Sequence, residues 1–164
     1  MERKINTSKI QLYIKDTGRS HTLLGKKRLM SYLKGSLKAF EKVLDYPQAE
    51  VSLVFCGTKK IRSLNKTYRN KDKKTDVLSF PVFPSLRNKK LVPQGLINLG
   101  DIFICKDVAK AQAEEFKISL EEEIVHLFIH GLLHLYGYDH EISEKEEKLM
   151  FTLEEKLVKK TFLN

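Results

Sequence analysis

Apolar positions recur along this chain with two periods, and the switches between them predict a protein of mixed α and β structure. Ile10-Gln11-Leu12-Tyr13-Ile14 alternates with period two and predicts a strand. From residue 23 to 44 the period lengthens. Leu29, Leu33, Leu37, Phe40 and Leu44 fall near one helical stripe, which Pro47 ends. Val51 to Cys56 predicts a second strand. Residues 59–68 predict a short helix with Ile61, Leu64 and Tyr68 on one side. Residues 76–81 predict a third strand, at a sheet edge because Pro81 has no N–H to donate. Residues 84–98, with Pro93, Gly95 and several polar side chains, are expected to form a mobile loop. Residues 101–105 predict a fourth strand and residues 107–116 a helix. Ser119 opens the next helix, with Glu122 three residues on in the capping-box pattern. Ile124, Leu127, Phe128 and Leu135 can anchor that helix in a core. Ser143 and Glu146 repeat the capping box and start a last helix running toward Lys160.

The chemistry concentrates at the end of the Ser119 helix, in His130-Gly131-Leu132-Leu133-His134-Leu135-Tyr136-Gly137-Tyr138-Asp139-His140. Residues i and i+4 share a helix face about one turn apart, so His130 and His134 can address one ion. Gly137 can end the helix in a left-handed turn, which glycine adopts without a Cβ penalty. That turn can swing His140 back toward the same ion. Three imidazoles with no fourth protein ligand form the pattern of a catalytic zinc site, whereas structural sites close with four ligands. The open position lets a bound water become a nucleophile. Histidines at i, i+4 also arise by chance, but four of the five histidines here fall within fifteen residues. One Zn2+ per chain is the expectation.

His126 extends the stripe by one turn. A helix face drifts about 40° per four residues, so His126 is given a supporting or packing role outside the ligand set. Gly131 stands where the H-E-x-x-H proteases carry a glutamate base, so no general base is supplied locally. The absence of a side chain at Gly131 is expected to let a bulky ligand approach the helix beside the metal. The helix is zincin-like in outline, and its chemistry need not be that of a zincin.

A chain of 164 residues with 41% hydrophobic and 31% charged residues has the size of one globular domain. No apolar run approaches the ~20 residues needed to span a bilayer, and no membrane partner is expected. Met1-Glu2-Arg3-Lys4-Ile5-Asn6 lacks the apolar core of a signal peptide, so a cytoplasmic location is expected. Cys56 and Cys105 lie far apart and outside any CxxC pattern, which predicts buried free thiols. The net charge of +9 is uneven. Between Lys59 and Lys74 stand eight basic residues and one acid, whereas residues 114–123 carry five glutamates and one lysine. A basic block beside a zinc site favours a polyanionic substrate such as RNA. On charge alone, a solvated lysine face reads the same.

The segment HGLLHLYGYDH, residues 130–140, resembles the signature of the YbeY family of bacterial endoribonucleases, the ribosomal RNA maturation factors. Leu64-Asn65-Lys66-Thr67-Tyr68-Arg69, followed by Thr75-Asp76-Val77-Leu78-Ser79-Phe80-Pro81, is similar to the family's LN…YR…PTDVLSFP element. Leu99-Gly100-Asp101-Ile102-Phe103-Ile104-Cys105 is similar to its LGDI-type strand. The match runs from about Val51 to the C-terminus, and the histidine motif is its most specific part. Lys74 departs from the proline usual before Thr-Asp, and the N-terminal quarter carries no signature.

The resemblance implies one α+β domain over residues 1–164, a mixed sheet (four-stranded, on the pattern above) flanked by helices, with zinc in a cleft on His130, His134 and His140. It implies a function for Arg69 in that cleft and a role in 16S ribosomal RNA 3′-end maturation and ribosome quality control. A guanidinium gives bidentate contacts to phosphate and can stabilise transition-state charge, so Arg69 is the catalytic candidate. Lys71, Lys73, Lys74 and Ser79 are substrate candidates. Asp139 and Asp101 are candidates to orient a histidine or move a proton. Attack by water and attack by the RNA 2′-OH are equally compatible with these residues. The expected partners are ribosomal RNA and the ribosomal subunit, and the chain is expected to be a monomer. The alternatives are a zinc hydrolase of a peptide or amide, and a non-catalytic RNA-binding protein with structural zinc. The missing glutamate and the basic block count against the first, and the open three-ligand pattern against the second.

Overall fold

The computed structural model describes residues 1–19, 22–87 and 95–163. Five strands and five helices follow one another as β1 (Glu2–Asn6), β2 (Ile10–Asp16), α1 (Lys27–Phe40), β3 (Gln48–Cys56), α2 (Thr58–Arg69), β4 (Val77–Pro81), β5 (Leu96–Cys105), α3 (Lys106–Phe116), α4 (Leu120–Tyr136) and α5 (Glu144–Leu163). The strands form one mixed sheet in the order β1-β2-β3-β5-β4. β2, β3 and β5 run parallel, while the outer strands β1 and β4 pair antiparallel to their neighbours. The sheet thus has five strands where alternation alone predicts four. β1 escapes that reading because four of its five residues are exposed. β4 lies at the edge, as Pro81 requires. Of the loop expected over residues 84–98, residues 88–94 lie outside the described residues, and residues 96–98 are the start of β5 instead of loop.

The alternation of β2 buries Ile10, Leu12 and Ile14 against the helical layer. α4 is apolar on most of its circumference, with Ile124, Val125, Phe128, Ile129, Leu132, Leu133 and Leu135 at 0% exposure. A helix apolar all round belongs inside a protein. α4 accordingly packs on β4 and β5 and is flanked by α1, α3 and α5. A smaller cluster of Cys56, Ile61, Leu78 and Cys105 seats α2 on the sheet, and both cysteines are buried free thiols, as expected. Leu78 and Phe80 of β4 join that cluster, while Val77 packs with the α4 core. With a side-chain period of two, the edge strand is clasped by α2 on one face and α4 on the other.

Two polar devices fix this frame. Lys106 Nζ donates to Asp16 Oδ1 at 2.8 Å, with both side chains nearly inaccessible, and Asp16 Oδ2 accepts from Leu23 N–H at 2.9 Å. Ser119 Oγ accepts from Glu122 N–H at 3.1 Å, the cap predicted for α4.

Candidate metal centre

The three histidines are delivered by the end of α4 and the turn that follows. Gly137, at φ 110°, stops the helix in the left-handed region that glycine alone enters freely. The N–H groups of Gly137 and Tyr138 return to the carbonyls of His134 and Leu133, at 3.1 and 3.0 Å, which closes the last turn. Asp139 Oδ1 then accepts from Glu141 N–H at 2.9 Å and shapes the loop that carries His140. The Arg87 guanidinium covers the Tyr138 ring at 4.1 Å and pairs with Glu146 at 2.8 Å, tying this loop to the start of α5.

The result is a converging cluster. One ligand atom from each of His130, His134 and His140 lies within 4.8 Å of the others. The Nε2 atoms of His130 and His134 stand 3.1 Å apart. Two nitrogens held at about 2.0–2.1 Å on one tetrahedral ion stand about 3.3 Å apart, so the pair is spaced as co-ligands are. Burial, with the neighbouring imidazoles adding to it, pushes the His134 pKa down to about 4. His134 is therefore neutral, the form that binds metal. Nδ1 of His140 is buried and has no hydrogen-bond partner among the described residues. A nitrogen-only donor set of three imidazoles fits zinc.

The cleft around the cluster holds about 290 Å³. Its opposite wall is Arg69 at the end of α2, with Lys71, Lys73, Thr75, Asp76 and Ser79 from the following loop and β4. Asn70 ends α2 in the left-handed region at φ 57°. Buried Asn65 donates to the Lys73 carbonyl at 2.9 Å and accepts at its own carbonyl from Lys71 N–H at 3.2 Å. These bonds fold the basic loop back over the cleft. Arg69 is exposed and makes no ion pair among the described residues.

Of the residues singled out from sequence, the structure gathers His130, His134, His140, Arg69, Lys71, Lys73 and Ser79 in one cleft. It does not bring in the others. Lys74 lines a separate depression with Lys59, Arg62 and Asp72, which Lys73 borders as well as the cleft. Asp101 is exposed on β5 and does not line the cleft. Asp139 spends one oxygen on its own turn. His126 is exposed, so the packing role is not what it has; it lines the cavity on the far side of His130. Gly131 is buried against the sheet. A Cβ there would stand 2.9 Å from Ile102 and 3.1 Å from Ser79 Oγ, so its bareness serves the close packing of α4 on β4 and β5.

Sequence reasoning missed Glu154. From α5 its carboxylate lies 3.4 Å from Nδ1 of His130. No motif surrounds it, and only the packing of α5 on α4 brings it there. It also missed Glu123, buried one helical stripe before the histidines, whose pKa burial and the nearby Asp76 charge raise to about 6.

Residues 14–161 match the family model described as endoribonuclease YbeY. The chain is 41% identical over 129 residues to the endoribonuclease YbeY of a Sulfurihydrogenibium species, covering 79% of this chain and 81% of that one. It is 48% identical over 117 residues to the protein of the same name from Staphylococcus carnosus, covering 70% and 72%. Its fold is similar to the solution structure of TM1509 from Thermotoga maritima, with a TM-score of 0.62 and 29% identity over 92% of this chain and 89% of that one.

Proposed function

The chain belongs to the YbeY family of endoribonucleases, enzymes that cleave RNA phosphodiester bonds, and from that premise we propose that it is a zinc-dependent, single-strand-specific endoribonuclease. Its substrate on this reading is ribosomal RNA, and its task is 16S 3′-end maturation and ribosome quality control in the cytoplasm, on the ribosomal subunit. The observation that carries the proposal is the facing of three converging imidazoles and a cationic wall across one cleft.

His130, His134 and His140 would hold a zinc ion, which would supply Lewis acidity toward a phosphodiester oxygen or a bound water. The protein supplies the rest. Arg69 offers a planar fork that binds the scissile phosphate in two hydrogen bonds and opposes the charge that builds on it. Lys71 and Lys73 lead the strand into the cleft by neutralising flanking phosphates. Glu154 accepts from His130 Nδ1–H, which fixes the tautomer and leaves Nε2 with its lone pair. The narrow cleft between α2, β4 and α4 suits one unpaired strand better than a duplex. Incubation of the zinc-loaded protein with single-stranded and duplex RNA of one sequence, and with a precursor carrying the 16S 3′ end, tests the reading. Internal cuts in the single strand and at the 3′ end are expected, and equal cutting of the duplex contradicts it.

A further inference from the structure

Behind His130, away from the basic wall, lies a second cavity of about 490 Å³, within the range of small-ligand sites. It shares Asp76, Val77 and His130 with the histidine cleft, so the two adjoin. Their linings are opposite in charge. Arg69, Lys71 and Lys73 outnumber Asp76 and Glu141 in the cleft; among the described residues no lysine or arginine lines the cavity, where Glu123 and Glu154 join the shared Asp76. Phosphate is drawn to the first and repelled by the second. A part of an RNA strand that enters the cavity has to be uncharged.

The walls state which part. Phe116, 58% exposed at the end of α3, stands at the cavity with Ile118 and Leu127. Unstacked RNA bases are held on such aromatic and apolar faces. Glu123 lines the same space. It is 5% exposed, and its Oε2 has no hydrogen-bond partner among the described residues. A buried acceptor without a donor is rare in folded proteins. Asp76 is already engaged by Val77 N–H at 2.7 Å and Gln112 Nε2 at 3.3 Å, which leaves Glu123 as the carboxylate that wants donors. Guanine offers two adjacent donors, N1–H and the N2 amino group, on its pairing edge. Cytosine and adenine offer one amino group beside an acceptor, and uracil one N–H between two carbonyls.

We propose that this cavity is a nucleobase subsite that holds a guanine next to the cleaved bond, stacked on Phe116 and read by Glu123. The inference rests on the endoribonuclease reading for its substrate. Its test does not, because a free nucleoside has no phosphodiester bond.

The zinc-loaded full chain is titrated with guanosine, adenosine, cytidine and uridine by NMR. Guanosine is expected to bind at least about tenfold more tightly than the others and to shift the amides of Phe116, Ile118 and His126. Phe116→Ala, an exposed truncation that leaves the core intact, should weaken guanosine by about tenfold, as loss of one stacking face does. Glu123→Gln should level the four affinities. Guanosine preference without RNA cleavage would support the subsite while the enzymatic reading fails. Equal binding of the four nucleosides, no binding at millimolar concentration, or shifts confined to another face would overturn the subsite, even with RNA cleavage intact.

Discussion

Glu154 Oε2 lies 3.4 Å from Nδ1 of His130, while Nε2 of the same ring faces His134 at 3.1 Å. On the proposed reading the two ring nitrogens have separate duties, one as donor to a carboxylate and one as lone pair for the metal. Carboxylates in this position typically change metal affinity by about 10- to 100-fold. Glu154→Gln should therefore weaken zinc by that factor in a chelator competition while cleavage by the zinc-saturated variant persists. Unchanged affinity would mean that Glu154 is only a solvated neighbour.

Arg69→Lys keeps the charge and loses the fork, and the two side chains are not interchangeable at a bidentate site. Zinc content should stay at one per chain and RNA binding near normal, while single-turnover cleavage slows on the order of 10²-fold. Cleavage at the wild-type rate would reduce Arg69 to one more surface cation.

The basic loop is divided by its fold. Lys71 and Lys73 line the cleft and Lys74 does not. Each phosphate contact to a single strand contributes about 0.7 to the slope of log affinity against log salt. The pair Lys71→Ala and Lys73→Ala should flatten that slope by roughly 1.4, and Lys74→Ala should leave it close to wild type. Equal effects from all three would mean that charge acts without regard to position.

Glu123 binds its proton more tightly folded than unfolded, with a folded pKa of about 6 against the ordinary 4.5. Burial is the main cause and the Asp76 charge adds to it. The contribution to stability is fully present below pH 4.5 and is lost as pH rises through about 6. Glu123→Gln should hence stabilise the protein at pH 7.5 by on the order of 1–2 kcal/mol and do little at pH 4.5. Urea unfolding of both proteins at the two pH values measures it, and an equal effect at both would show that Glu123 is ionised throughout.

The legible part of this protein was the part coded locally. Ser119, Gly137 and the i, i+4 histidines act through helix geometry: Ser119 caps α4, Gly137 ends it in the left-handed region, and the histidines converge. Pro81 marks the edge strand for the same kind of reason. What the sequence hides depends on distant packing. Glu154 reaches His130 across two helices, 24 positions on. Lys74 lines a separate depression instead of the cleft. At Gly131 a Cβ would press on Ile102, a contact with β5 that no local pattern announces. β1 is exposed on nearly every residue, so it has no hydrophobic period to read, and its antiparallel pairing with β2 alone defines it.

The central claim, that one zinc on His130, His134 and His140 drives RNA cleavage, is tested most directly by measuring zinc content and single-stranded RNA cleavage together in wild type and His134→Ala. The account predicts one zinc per chain and internal cuts in wild type. In His134→Ala it predicts both lost, with a lower melting temperature, because bound metal contributes folding free energy. Full zinc occupancy in His134→Ala, or cleavage at the wild-type rate by a zinc-free chain, would contradict it.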